Sequence, residues 1–374
     1  MTDLLPFVAD LPLVDHHCHG LGTGDVARAD FEAMLTEADT TSPLGTSLFD
    51  SLIGLAVRER CAPVLDLPRH APADGYLERR AELGPAEVAR RFLRATGTTD
   101  FLLDGGFRPD ALTTTGEFAA LAAGRAHDVV RLEQVAEAVI RGSTAAGFAA
   151  DFAAELGKRA ETAVGCKSIA AYRVGLDLAG ERPSPAEVEA AAGRWLAAGG
   201  TRLADEVLHR FLVFTGLDLG LPVQFHVGYG DSDVDLHRCD PLRLTGLLRA
   251  TRDLGVPILL LHNYPFHRNA AYLAQVFEHV FVDVGLATHN AGFRAPAILA
   301  ELLEIAPFGK VLFSTDAFGL AELYHLGTAL FRQGLSDFLR AGLDAGAMSE
   351  VDAVRLCALV GHENAKRIYR LEHG

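Results

Sequence analysis

The sequence predicts an α/β fold, a (β/α)8 TIM-type barrel with a mostly helical insertion after strand 1. Three observations lead to this prediction. Eight short apolar runs recur along the 374 residues. Their hydrophobicity is continuous, which is typical of parallel strands that are covered on both faces. Most of the runs are followed by a helical pattern, and eight strand–helix units close into a barrel whose active site lies at the carboxyl ends of the strands.

The candidate strands follow one another along the chain. They are LPLVDHH near Leu13, DFLLDGG near Leu103, DVVRLE near Val130, AVGCKS near Cys166, LPVQFHVG near Phe225, VPILLLHN near Leu260, VFVDVG near Val282 and KVLFSTDA near Phe313. The helix after the fifth strand illustrates the repeating unit. Asp240 and Pro241 are typical of a helix start, and Gly255 is typical of a helix end.

The segment between the first two strands, residues 30–98, is too long for a single helix. Its helical stretches are DFEAMLTEA, LFDSLIGLAVRER and GPAEVARRFLRAT. We predict that it is an insertion within one barrel domain that spans residues 1–374. The insertion can pack around the barrel, or it can serve as a lid over the barrel mouth or as the surface of the homodimer that we expect. The sequence alone does not choose between these roles.

Charge and composition limit the class of partner. The formal net charge of −15 argues against nucleic acid or an anionic membrane surface, because both attract basic patches. No apolar run approaches the ~18 residues that a membrane span needs, and the first residues do not resemble a signal peptide. The five cysteines form no C-x-x-C pair, which favours a reducing compartment and excludes a thiolate zinc site. We therefore expect a cytoplasmic protein that acts on a small-molecule substrate.

Ligand-type side chains stand at the ends of five of the candidate strands. The first strand ends in VDHHCHG, where His17 and His19 project to the same side because strand side chains alternate, and His16 projects to the other. A lone histidine in such a place is usually a buried structural residue. Here, however, further residues follow other apolar runs and would converge on one barrel mouth: Lys167 after strand four, His226 after strand five, His262 after strand six and Asp316 after strand eight.

This residue set is typical of a metal centre that activates water. Imidazole and carboxylate ligands suit Zn²⁺, and also Mn²⁺ or Fe²⁺, and they leave an open position for water, which loses its proton near pH ~7. A carboxylate can accept that proton, and a free imidazole can polarise the scissile carbonyl group. We predict a divalent ion, Zn²⁺ first, with Asp316 and His262 as catalytic residues. The predicted metal ligands are His17, His19, His226 and Asp316.

The sequence resembles the amidohydrolase superfamily, specifically its amidohydrolase-related (amidohydrolase 2) branch. Within that branch it is most similar to the members found alone or fused ahead of glutamine-synthetase-like domains. The resemblance implies a metal-dependent barrel enzyme with the four ligands named above and His262 beside them. One departure is FGLAELY, where the family pattern has proline before Glu322. The motifs that carry the resemblance are VDHHCHG, CKSIAAYRVGL, PVQFHVGYGDSDVDLHRCDPLRL, LLHNYPFHRNAAYLA, FVDVGL, LLEIAPFGKVLFSTDAFGLAELYHLG and GHENAKRIYRL.

Four further residues are candidates for substrate binding. Tyr172 and Arg173 follow Lys167 closely and can reach over the mouth, where the guanidinium fork would suit a substrate carboxylate; a surface salt bridge is the alternative. Arg294, after strand seven, is a second candidate for the same task. Lys167 resembles the position at which binuclear members carry a carboxylated lysine that bridges a second ion. The branch that the sequence resembles usually works with a single ion, so we predict one ion and an unmodified Lys167 that contacts substrate.

The predicted reaction is hydrolysis of a C–N amide bond in a small substrate that carries a carboxylate. The glutamine-synthetase association of its relatives suggests γ-glutamyl amides. A decarboxylase or other lyase of the same branch is the alternative, because it would use the same ligands. A catalytically inactive barrel that serves as a scaffold is a third reading, and the complete ligand set argues against it.

Overall fold

The computed structural model describes residues 4–40 and 44–371. Its sheet contains seven parallel strands, each paired with the next along the chain. They are β1 Leu13–Cys18, β2 Thr98–Asp104, β3 Arg125–Arg131, β4 Gly165–Ser168, β5 Val223–Val227, β6 Ile258–His262 and β7 Val280–Val282. Every residue of β1, β4, β5, β6 and β7 is buried, as expected where both faces of a parallel sheet are covered.

The eighth predicted strand, near Phe313, runs between β7 and β1 without forming a regular strand. The N–H of Leu312 donates to the carbonyl of Val282 at 3.0 Å, and the carbonyl of Phe313 accepts from the N–H of His16 at 3.1 Å. Residues 311–316 therefore join the two ends of the sheet. The predicted α/β barrel of the TIM type is confirmed, whereas the prediction of eight regular strands is wrong.

A side chain interrupts the regular ladder of this last segment. The carboxylate of Asp15 accepts hydrogen bonds from both the backbone N–H and the hydroxyl of Thr315, at 2.9 and 2.5 Å. A neighbouring strand would normally supply the partner for that N–H. Asp316 then adopts a φ of 53°, in the left-handed region that ends an extended run.

The helices surround the sheet, and four of them form much of the insertion. They are α1 Pro6–Ala9, α2 Arg28–Ala33, α3 Leu52–Ala56, α4 Ala73–Leu83, α5 Pro85–Thr96, α6 Thr115–Leu121, α7 Leu132–Val139, α8 Phe148–Ala160, α9 Pro185–Ala197, α10 Glu206–Asp218, α11 Thr245–Thr251, α12 His267–Val276, α13 Gly285–Asn290, α14 Ala295–Leu302, α15 Ala321–Asp344, α16 Glu350–Ala358 and α17 Asn364–Tyr369. Within residues 4–40 and 44–371, no helix combines the length and apolar character that crossing a membrane requires.

The residues between β1 and β2 are mostly helical, as predicted, and hold α2 to α5. Proline at the start of α5 and the left-handed Gly97 after its end explain the bounds of that helix. A buried ion pair ties the insertion to α15: Nε of Arg80 lies 2.8 Å from Oε1 of Glu322, and the hydroxyl of Tyr76 donates to the same oxygen at 3.1 Å. Since α15 follows the segment that carries Asp316, the insertion is fixed close to the carboxyl ends of the strands.

Replacing Glu322 with glutamine is expected to destabilise the protein by about 3–5 kcal/mol, because it leaves the charge of Arg80 buried without a counter-ion. The free energy of unfolding in urea measures this loss. The matched control is Asp218→Asn, which removes an ion pair with Arg182 whose two side chains are about half exposed, and it is expected to cost at most about 1 kcal/mol. Equal losses in the two variants would contradict the assigned role of the buried pair.

Candidate active site

A cavity of about 390 Å³ lies at the carboxyl ends of the strands. The strand-end residues in its wall are His17, His19, Arg131, Lys167, His226, His262 and Asp316, and the insertion contributes Asp30, Ala33, Met34, Thr36, Glu37, Ala38 and Asp39. The cavity therefore brings together every strand-end residue that the sequence singled out.

Three imidazoles lie close to the carboxylate of Asp316. Its Oδ1 lies 3.1 Å from Nε2 of His17 and 3.2 Å from Nε2 of His19. Its Oδ2 lies 3.5 Å from Nδ1 of His262. Burial acts to raise the pKa of Asp316, but the adjacent imidazoles, that of His262 first, outweigh burial and hold the pKa well below its usual range. Asp316 is therefore ionised at neutral pH.

Hydrogen bonds behind two of these imidazoles fix which ring nitrogen carries the proton. Nδ1 of His19 lies 3.0 Å from the backbone carbonyl of Asp104 and must donate, because a carbonyl only accepts. Nδ1 of His17 lies 2.9 Å from Oε1 of Gln224. The amide nitrogen of Gln224 donates to the carbonyl of His16 at 2.8 Å, which fixes the orientation of that amide. In the neutral form of both imidazoles Nε2 therefore presents a lone pair to the carboxylate.

This donor set fits a divalent cation. Two imidazole nitrogens and a carboxylate oxygen converge in a buried place, which is the arrangement of ligand atoms that a divalent cation needs. Burial, followed by the charge of Lys167, lowers the pKa of His17 to about 4, so that ring is neutral at neutral pH and its Nε2 is free to bind a cation. Among the described residues, the ligand atoms of His17, His262 and Asp316 lie within 4.8 Å of one another. Imidazole and carboxylate ligands suit Zn²⁺, Mn²⁺ or Fe²⁺.

The other two histidines of the cavity differ in their hydrogen bonding. Nε2 of His226 donates to the carbonyl of Tyr229 at 3.1 Å, so its Nδ1 carries the lone pair, 3.4 Å from the hydroxyl of Tyr172. Both ring nitrogens of His262 are buried without a hydrogen-bond partner in the described part of the chain. The two rings pack with their centroids 4.7 Å apart. His226 lies outside the groups of close ligand atoms found among the described residues, so its metal ligation stays a prediction.

Lys167 and Tyr172 both line the cavity, where the sequence placed them. Nζ of Lys167 lies 3.3 Å from Nε2 of His17, and burial lowers the pKa of the ammonium group to about 8. Tyr172 ends a short 3-10 turn, and its ring centroid lies 4.4 Å from that of His226. Substrate contact by either residue stays a prediction.

The two predicted carboxylate-binding arginines differ in position. Arg173 lines the cavity, but its Nη1 pairs with Oε1 of Glu137 at 3.1 Å, which is the salt bridge that the sequence left open. Arg294 is exposed, in the short turn between α13 and α14, and it is not among the residues that line the cavity. Substrate binding by Arg294 stays a prediction, and the position of this residue outside the cavity wall does not support it.

Four residues that the sequence did not single out line the cavity or hydrogen-bond the histidines of the site. Asp104 and Arg131 end β2 and β3, so the rule that selected the other strand ends would have found them too. Gln224 lies inside β5 and orients His17. Glu37 comes from the insertion, and no sequence signal marks it.

The insertion forms part of the wall of the site. Seven of the residues between 30 and 39, from α2 and the bend that follows it, line the cavity. The Ser232 hydroxyl, in the loop after β5, donates to the carboxylate of Asp39. Burial, followed by the charges of Asp316 and Asp231, raises the pKa of Glu37 to about 8. Of the roles left open by the sequence, this geometry favours a cover over the barrel mouth; the homodimer stays a prediction.

The sequence matches a family model and a curated protein. A family model described as amidohydrolase matches residues 78–371. Protein fluG of Emericella nidulans is 26% identical to the chain over 415 residues. That match covers 99% of this chain and 47% of the fungal protein, so the chain spans about half the length of this curated relative.

Solved structures with a similar fold include one with related sequence. A protein from Lactobacillus casei, provisionally classed as a metal-dependent hydrolase, is 29% identical, with a TM-score of 0.85 over 97% of this chain and 96% of that one. A uronate isomerase from Thermotoga maritima has a TM-score of 0.66 at 15% identity, over 97% of this chain and 95% of that one. At that low identity the second likeness concerns the fold alone.

Proposed function

The chain belongs to the amidohydrolase family, and on that premise we propose that it hydrolyses a C–N amide bond in a small substrate that carries a carboxylate. The observation that carries the proposal is the convergence of His17, His19 and Asp316, in which both imidazoles present lone pairs to one ionised carboxylate. We propose Zn²⁺ as the divalent ion, with His226 as a further ligand through Nδ1. When bound, the ion supplies Lewis acidity and a water that loses its proton near pH ~7.

The residues around the ion have separate roles in proton transfer, substrate binding and ligand orientation. Oδ2 of Asp316 faces His262 rather than the two ligand histidines, so it is placed to accept a proton and later to deliver it to the leaving amine. His262 has two unpartnered ring nitrogens within the described structure and can hydrogen-bond the carbonyl oxygen of the substrate. Gln224 and the carbonyl of Asp104 hold the rings of His17 and His19 in place.

The substrate class follows from the size and charge of the cavity. A volume of about 390 Å³ suits a small molecule. Lys167 and Arg131 in its wall favour an anionic group on the substrate. The resemblance to members associated with glutamine-synthetase-like domains adds γ-glutamyl amides as the first class to test.

The test is an assay of purified protein of known metal content against γ-glutamyl amides, N-acyl amino acids and aromatic carboxylates. Release of an amine together with a new carboxylate supports the proposal, and metal-stripped protein is the control. Release of CO₂ from a carboxylate, with no amine formed, would replace the hydrolase by the decarboxylase alternative.

Lys167→Ala is expected to retain the wild-type content of one ion per chain while KM rises by about tenfold or more, because an unmodified ammonium contacts substrate and is no ligand. Elemental analysis and steady-state kinetics of the two proteins measure this. Two ions per wild-type chain, with one lost in Lys167→Ala and restored by short carboxylic acids, would show instead that Lys167 is carboxylated and bridges a second ion.

A further inference from the structure

Two cationic side chains lie next to each other at the floor of the cavity. Arg131 ends β3 and pairs in register with Lys167 of β4. Paired residues of adjacent parallel strands point to the same face of a sheet, about 4.8 Å apart. Both residues line the cavity, and both are largely buried, with 12% of the Arg131 side chain and 2% of Lys167 exposed.

The chain holds Arg131 in one orientation. Nε and Nη2 of its guanidinium donate to Oδ2 of Asp104 at 3.0 and 2.6 Å, while Oδ1 of Asp104 accepts the N–H of Gly106 at 2.9 Å. The guanidinium carbon lies 5.8 Å from the ring centroid of Phe107. Gly106 is required for this arrangement, because a Cβ there would come within 2.5 Å of Cβ of Arg131.

One edge of this fixed guanidinium remains uncommitted. Among the described residues, Nη1 of Arg131 has no hydrogen-bond partner, and Lys167 forms no ion pair. Asp104 neutralises one of the two cations, and Asp316 is proposed to be a ligand of the divalent ion. The uncommitted Nη1 of Arg131 and the ammonium group of Lys167 are therefore adjacent donors that one carboxylate can bind.

We propose that Arg131, together with Lys167, binds the carboxylate of the substrate, and that Asp104 and Gly106 position Arg131 for this task. This inference rests on the proposed function. The two side chains would orient the substrate with its carboxylate on the β3–β4 side of the cavity. Arg173 differs in position, because it follows the short 3-10 turn after β4, whereas Arg131 ends a strand in register with Lys167. The planar fork of a held guanidinium is the group that binds carboxylates with defined geometry.

Isothermal titration of the metal-loaded protein with glutarate tests the proposal without turnover. Glutaramide, which has the same shape and no charge, is the control ligand. The wild type is expected to bind glutarate at least tenfold more tightly than glutaramide, and Arg131→Gln is expected to lose that preference. Arg249→Gln, which removes an exposed arginine outside the cavity, is expected to keep it.

Two further variants separate binding from folding. Arg131→Gln leaves Asp104 buried without its cation, so the double variant Arg131→Gln/Asp104→Asn replaces the ion pair by two neutral amides and is expected to show the same loss. Gly106→Ala keeps every charge but displaces Arg131, and it is expected to weaken glutarate binding about tenfold. Metal content and thermal unfolding are measured for each variant.

Glutarate binding that is undetectable in the wild type, or unchanged in both the single and the double variant, would overturn the proposal. A larger loss in Arg173→Gln than in Arg131→Gln would overturn it as well, and would return the role to the arginine that the sequence selected. If Arg131-dependent glutarate binding is found and no amide is hydrolysed, the anion site stands and the proposed reaction fails.

Discussion

Asp316→Asn is expected to lower kcat by about 1,000-fold or more while the protein keeps part of its metal. The carboxylate has two separate tasks, because Oδ1 faces His17 and His19 and Oδ2 faces His262. An asparagine oxygen can still face the two ligand histidines. Its amide nitrogen, however, cannot accept a proton, and general acid–base catalysis of this kind contributes about 10²–10⁴-fold.

Metal content by elemental analysis and kcat by steady-state kinetics are measured on the same preparation. Asp253→Asn, at an exposed position remote from the cavity wall, is the matched control for the change from acid to amide. Partial metal with little activity is the expected combination. Activity within tenfold of the wild type would remove Asp316 from the proton transfer and leave it as a ligand only.

The sequence allowed the centre of the site to be predicted because its residues follow a local rule. Each of His17, His226 and Asp316 ends an apolar run, and the carboxyl ends of parallel strands meet at one end of a barrel. The same rule applies to Asp104 and Arg131, which end the apolar runs in DFLLDGG and DVVRLE. Their partnership depends on the register between β2 and β3, which no local pattern records.

Features that depend on the path of loops could not be predicted. Arg294 and Glu37 both lie outside the strands, yet only Glu37 borders the cavity. The difference arises from how each connection folds back over the barrel. The bond from Asp15 to Thr315 that interrupts the last strand joins residues 300 positions apart, so the regular pattern of KVLFSTDA gave no sign of it.

His17→Ala is expected to abolish both metal binding and activity, and its neighbour His16 provides the matched control. The two imidazoles follow each other in β1 but have different surroundings. His17 presents Nε2 to Asp316 at 3.1 Å, whereas Nε2 of His16 bonds Oδ2 of Asp283 at 2.8 Å and its Nδ1 lies 3.1 Å from the hydroxyl of Tyr369. His16 therefore stabilises the barrel interior and has no free nitrogen for an ion.

His16→Gln is accordingly expected to lower the free energy of unfolding while the protein keeps its metal. His17→Ala is expected to lose its metal while that free energy changes less. Gln224→Leu gives an intermediate test, because it removes the acceptor that orients His17 and the donor to the carbonyl of His16 but leaves the His17 ring itself in place. Loss of such an outer hydrogen bond typically weakens metal binding about 10–100-fold. Metal affinity from competition with a chelator ranks the three variants. Full activity of metal-depleted His17→Ala protein would contradict metal-dependent hydrolysis altogether. In the described part of the cavity, His17 and His19 are the two imidazoles whose Nε2 atoms lie within 3.2 Å of Oδ1 of Asp316, and the variant lacks one of them.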